Sequence, residues 1–128
     1  MPARKLYQQQ SVLPRDITLA GTITIGASGA ISAQTGAKLC GATAAQTASE
    51  DGRYSVTFDR TYKRIKSANV NMVGPDDNAF PTTTGSDPQI RLLTTSGFSI
   101  QAKRTDTQAD TDPASGSILC WTAVVSLV

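Results

Sequence analysis

In 128 residues the chain has no histidine, a single glutamate (Glu50), a single tryptophan (Trp121) and two cysteines (Cys40 and Cys120). Without histidine it has neither the commonest general base, nor the base of a hydrolase triad, nor the commonest transition-metal ligand. Two cysteines do not complete a structural zinc site. No stretch approaches the roughly 20 consecutive apolar residues of a membrane-spanning helix. P-loop, glycine-rich dinucleotide turn and nucleophile elbow are all missing. These absences exclude most familiar hydrolases and metalloenzymes. The expectation is a protein that is not an enzyme and carries no cofactor and no metal.

What is present is hydroxyl and turn chemistry: 17 Thr, 12 Ser, 10 Gly and 6 Pro. Threonine suits a pleated, half-buried surface, whereas Gly, Pro and Ser collect at the turns between strands. Leu, Glu and Lys, which favour helices, are sparse. A hydrophobic fraction of 39% with a net charge of +2 is globular rather than disordered in character. The length suits one domain. Composition alone therefore predicts an all-β fold.

Periodicity agrees. Residues 1–16 read as an N-terminal arm: Gln8, Gln9 and Gln10 make a polar run, Pro14 interrupts pairing, and Tyr7, Val12 and Leu13 supply apolar grip. From residue 17 onward a single domain is expected. Ile17, Leu19, Ile23 and Ile25 alternate with Thr18, Thr22 and Thr24, and Gly21 reads as a bend or bulge. A turn at residues 26–29 leads into a short return strand. Residues 38–48 also read as strand, and Glu50-Asp51-Gly52 is a hairpin signal. Tyr54, Val56 and Phe58 share a face, as do Ala68, Val70 and Met72. Residues 89–94 and 97–103 form a second hairpin, and residues 117–128 a long apolar closing strand. That strand reads as buried on both faces, within the domain or against a second subunit, so a homo-oligomer is expected. Seven to nine strands at short spacing suggest a sandwich or barrel, and two packed antiparallel sheets are the simplest solution. A jelly-roll-like antiparallel β-sandwich is expected, with strand order left open because similar patterns fit immunoglobulin-like sandwiches.

The amino terminus has a basic start but no apolar stretch behind it, which argues against a secretory leader. Synthesis in a cytoplasm is expected, with Cys40 and Cys120 reduced and buried as small hydrophobes. Residues 1–70 carry nine basic and four acidic side chains, and residues 71–128 three basic and six acidic. The densest basic cluster is Arg60, Lys63, Arg64 and Lys66. Little aromatic interleaving accompanies it, so no nucleic-acid partner is expected, and no membrane partner either. The carboxylates Asp76, Asp77, Asp106, Asp110 and Asp112 sit in loops without calcium-binding spacing and read as ordinary turn residues.

The segment Arg53-Tyr54-Ser55-Val56-Thr57-Phe58-Asp59-Arg60-Thr61-Tyr62-Lys63-Arg64-Ile65-Lys66-Ser67-Ala68-Asn69-Val70 resembles a pattern in small tailed-phage virion proteins. The ending Asp112-Pro113-Ala114-Ser115-Gly116-Ser117-Ile118-Leu119, with its closing apolar strand, is similar too. These parts cover about half of the chain. The resemblance implies a capsid decoration (cement) protein. Such a protein is made in the host cytoplasm and bound as a dimer or trimer to the outside of the head, its partner the major capsid protein. On that reading Arg4, Lys5, Leu6, Tyr7, Val12 and Leu13 of the arm, with Arg60, Lys63, Arg64 and Lys66, contact the shell and bridge capsomers against genome pressure. The alternative is a tail-associated receptor- or glycan-binding module using the loops 74–88 and 105–116.

Overall fold

The computed structural model describes residues 16–35, 42–47, 50–74, 86–104 and 107–127. Eight strands follow one another: β1 (Asp16–Ile25), β2 (Ile31–Thr35), β3 (Ala42–Gln46), β4 (Arg53–Phe58), β5 (Arg64–Val73), β6 (Ser86–Thr94), β7 (Gly97–Arg104) and β8 (Ile118–Ser126). One 3-10 turn, Ala27–Gly29, links β1 to β2. Every strand pairing is antiparallel, in two sheets of order β2-β1-β8-β5 and β3-β4-β7-β6. We call these sheets A and B. The molecule is an all-β sandwich, as its composition and alternation predict. The eight strands among the described residues match a jelly roll in number. The connectivity is richer in hairpins: β1–β2, β3–β4 and β6–β7 each stay within one sheet.

The alternation seen in the sequence builds the core directly. Leu19, Ile23 and Ile25 of β1 and Leu119, Trp121, Ala123 and Val125 of β8 face Tyr54, Val56 and Phe58 of β4 and Phe98 and Ile100 of β7. Ala68, Val70 and Met72 of β5 pack against this cluster from the side, half-buried. Each fully buried Ile, Leu or Val side chain contributes about 1.5–3 kcal/mol. Burial of one face in each sheet also fixes the register, because a one-residue slip would turn every such side chain outward.

Several expectations change. Gly21 is neither bend nor bulge, since β1 pairs with β8 without interruption from Asp16 to Thr24. It faces inward, and a Cβ there would lie 2.7 Å from the Trp121 ring. Glycine is the notch into which the indole packs. Within the chain the closing strand is buried on one face: Ile118, Cys120 and Val124 are half-buried on the outer face and Thr122 is exposed. Cys120, expected to be buried, therefore sits on the outside of sheet A as a free thiol. Among the described residues strand pairing begins at Asp16, the last residue assigned to the arm. Ala68, Val70 and Met72 lie on a strand that already begins at Arg64, and its register shifts between Ile65 and Ser67. Pro88, expected to end a loop, pairs with Ala102 inside β6. A proline is tolerated there because β6 is an edge strand. Cys40, the arm residues before Asp16, and Asp76, Asp77 and Asp106 lie outside the described residues.

Candidate functional site

One end of the sandwich gathers what the sequence scatters. Asp16 opens β1 opposite Ser126 at the close of β8, and Ser126 is also paired with Arg64 at the start of β5. The β6–β7 turn reaches the same end, where Ser96 accepts a bond from the Phe58 amide (2.9 Å) and Thr95 one from the Tyr62 amide (3.0 Å). The Lys63 amide donates to the Ser126 carbonyl at 3.1 Å. These ties between four chain segments give the β4–β5 connection a fixed backbone.

That connection carries Arg60 and Lys63, and Arg64 follows as the first residue of β5; all three are exposed. Arg60 lies over the Tyr62 ring, 5.4 Å from its centroid. Tyr62 is buried and meets Phe58 edge-on at 5.7 Å. Phe58 meets Phe98 at 6.1 Å, and Phe98 meets Trp121 at 5.5 Å, again edge to face. Edge-to-face pairs add about 0.5–1.5 kcal/mol each beyond area burial. The aromatic series thus runs from the notch at Gly21 to the guanidinium of Arg60 and anchors a surface cation in the core. Arg60, Thr61, Tyr62, Lys63 and Leu127 line a depression of about 240 Å³.

Lys66 behaves differently from its neighbours. It falls at the register shift of β5, and its ammonium pairs with Asp16 at 2.8 Å. No described carboxylate lies within ion-pair distance of Arg60, Lys63 or Arg64. Within the cluster, the charge that no described carboxylate offsets therefore rests on these three. Arg4, Lys5, Leu6, Tyr7, Val12 and Leu13 are outside the described residues. The structure does place Asp16, the residue at which the strand takes over from the arm, against Lys66 of the cluster.

No family model, curated protein or solved structure matches the chain. The site is therefore read from its own chemistry.

Sequence reasoning missed three apolar members of this end. Leu92 and Leu93 are 67% and 44% exposed, and Leu127 is 37% exposed. The pairing of β6 with β7 breaks between Arg91 and Thr94, and Leu92 adopts a left-handed backbone with φ of 51°. The signal was the Leu92-Leu93 pair itself, because two adjacent leucines interrupt a period-two pattern. The alternative loop reading meets a different geometry. Residues 107–116 fold back onto sheet B through an isolated bridge between Lys103 and Asp110. Lys103 donates to Asp110 at 2.7 Å; this bond, then the charges of Lys103, Arg91 and Arg53, hold the Asp110 carboxyl below its usual range. Asp112 accepts from the Gly52 amide at 2.6 Å. No group of His, Cys, Asp and Glu that would hold a metal occurs among the described residues. None of the described helices is long and apolar enough to cross a membrane.

Proposed function

We propose that the chain is a non-enzymatic decoration protein of a phage head, binding the outside of the shell through the end built from Arg60, Lys63 and Arg64. One observation carries this reading. Three unpaired cations, three exposed leucines and the start of β1 converge on a single end of a rigid sandwich. Exposed leucines beside unpaired cations suit an acidic partner with an apolar contact, since charge steers encounter and apolar burial holds the complex. The partner on this reading is the major capsid protein.

Stabilisation follows from linkage: a protein that binds assembled shell and not free subunits favours assembly by mass action. Many copies of a weak contact become strong when the contacts are joined. The oligomer belongs to the same proposal. The outer face of sheet A is uncharged across Thr18, Ala20, Thr22, Asn69, Asn71 and Thr122, with the Asp16–Lys66 pair at its margin. A second copy packing on this face would bury the half-exposed outer row of β8.

Quantitative mass spectrometry of purified particles from the encoding phage tests the assignment. A copy number comparable to that of the major shell protein is expected. A few copies per particle would move the chain to the tail, and absence would defeat both readings. Deletion of residues 2–13 should leave a folded sandwich that no longer binds shells.

A further inference from the structure

The outer face of sheet B holds a second feature, independent of the shell-binding reading. A cleft of about 540 Å³ lies between the Glu50-Asp51 turn and the Asp110 loop, with Arg53, Arg91 and Gln101 from β4, β6 and β7 completing the lining. That volume is within the range of small-molecule sites, roughly 300–1,000 Å³. The walls are preformed. The Gln101 side-chain amide donates to the Asp51 carbonyl at 2.9 Å, the Ala102 amide to the Gly52 carbonyl at 2.8 Å, and the Thr111 amide to the Ala102 carbonyl at 3.2 Å.

Its hydrogen-bonding capacity is incompletely used. Arg53 donates through Nη1 to Glu50, yet its Nε–H is buried and has no partner among the described residues. A buried donor left without a partner is unfavourable, so the position favours an acceptor. Arg91 is exposed and within ion-pair distance of no described carboxylate. Two guanidinium groups thus line the cleft, Arg91 exposed and Arg53 with its Nε–H enclosed, and arginine's fork is matched to a planar anion. Asp51, also exposed, forms no ion pair among the described residues and is an acceptor awaiting a hydroxyl.

We propose that this cleft binds an acidic saccharide, the sugar carboxylate on Arg53 and Arg91 and ring hydroxyls donated to Asp51. The lining contains no aromatic residue, which disfavours a neutral sugar held by stacking. Three rim carboxylates repel a compact, highly charged anion such as phosphate. A uronic acid meets both demands, because it spreads one negative charge and several hydroxyl donors over one molecule. The cleft opens on the face of sheet B beside the Glu50-Asp51 turn, at the other end of β4 from Arg60.

The test is an NMR titration of the full chain, observing the Arg53 Nε–H and Gln101 side-chain amide signals. The probes are trigalacturonic acid, galacturonic acid, maltotriose, sodium acetate and sodium phosphate. The uronic acids should shift these signals and the other probes should not. Tighter binding of the trimer than of the monomer identifies a polymer as the source, and equal binding a free sugar acid. Arg91→Ala should weaken binding about tenfold or more, the loss of one charge-assisted pair. Asp51→Ala separates the proposal from simple anion attraction: removing a negative charge would tighten a generic anion, whereas loss of the hydroxyl acceptor weakens the sugar. Absence of a shift with trigalacturonic acid, an equal shift with acetate or phosphate, or tighter binding by Asp51→Ala overturns the assignment.

Discussion

Two residues show how a single side chain holds distant parts of the sandwich. Tyr54 is fully buried and donates its hydroxyl to the Gly29 carbonyl at 2.7 Å. Burial, and secondarily the negative charge of Asp112, push its phenol above the usual value of 10.0. A raised folded-state pKa means that the folded protein holds this proton more tightly than the unfolded chain. The associated stability is complete below about pH 10 and declines as pH rises further. Tyr54→Phe should cost about 1–3 kcal/mol at neutral pH, because the Gly29 carbonyl loses its donor. It should also flatten the alkaline loss relative to the native chain, as read from Tm against pH. Gly21 makes the complementary point about shape. Gly21→Val would drive its side chain into the Trp121 ring and the Thr35 carbonyl, each 2.7 Å from a Cβ. A loss at or above the usual 1–3 kcal/mol of overpacking is expected in a denaturant melt, without a change of fold. Neither role was legible beforehand. A lone glycine in an alternating strand signals a bend as readily as a notch, and only the facing indole distinguishes them.

Whole strands were far more legible than these contacts, for a physical reason. Burial of one face per sheet imposes period two, so β1, β4, β7 and β8 show in the sequence through their buried faces. The edges obey other rules. Between β2 and β3, which belong to different sheets, the Gln34 side chain donates to the Ala44 carbonyl at 3.0 Å and accepts from the Ala44 amide at 2.7 Å. This amide closes one flank of the sandwich, and no periodicity announces it. Gln34→Met keeps the length and removes both bonds. It should lower stability by about 1–3 kcal/mol and speed hydrogen exchange at the Ala44 amide, while exchange in β8 slows or speeds only with global stability. The other flank ends in β6, where the break in pairing at Leu92 interrupts a sheet edge as bulges do elsewhere. Asparagine tolerates the left-handed backbone better than leucine. Leu92→Asn is therefore expected to leave Tm nearly unchanged and to weaken shell binding in a particle pull-down. A matching drop in Tm would make Leu92 a folding residue instead.

At the scale of the molecule, the two candidate surfaces occupy different places, and this gives the shell-binding reading an orientation. The cluster at Arg60, Lys63 and Arg64 was visible as a charge run, but its isolation from carboxylates required the fold, which joins Lys66 to Asp16 and leaves the other three uncompensated. The cleft of Arg53, Arg91 and Gln101 was not visible at all, because pairing of three strands brings together residues far apart in the chain. If the cluster faces the shell, reversing it by Arg60→Glu, Lys63→Glu and Arg64→Glu should abolish binding without unfolding an exposed surface. Native binding should weaken as salt rises and the field is screened. Lysine reactivity then fixes which side faces down. Lys63 is exposed at the cluster, whereas Lys103 is held by Asp110 on the outer side of sheet B. Shell binding should protect Lys63 from acetylation several-fold and leave the slower modification of Lys103 unchanged. Protection of Lys103 with Lys63 still reactive would invert the molecule on its partner, place the saccharide cleft against the shell, and require the basic end to serve a different contact.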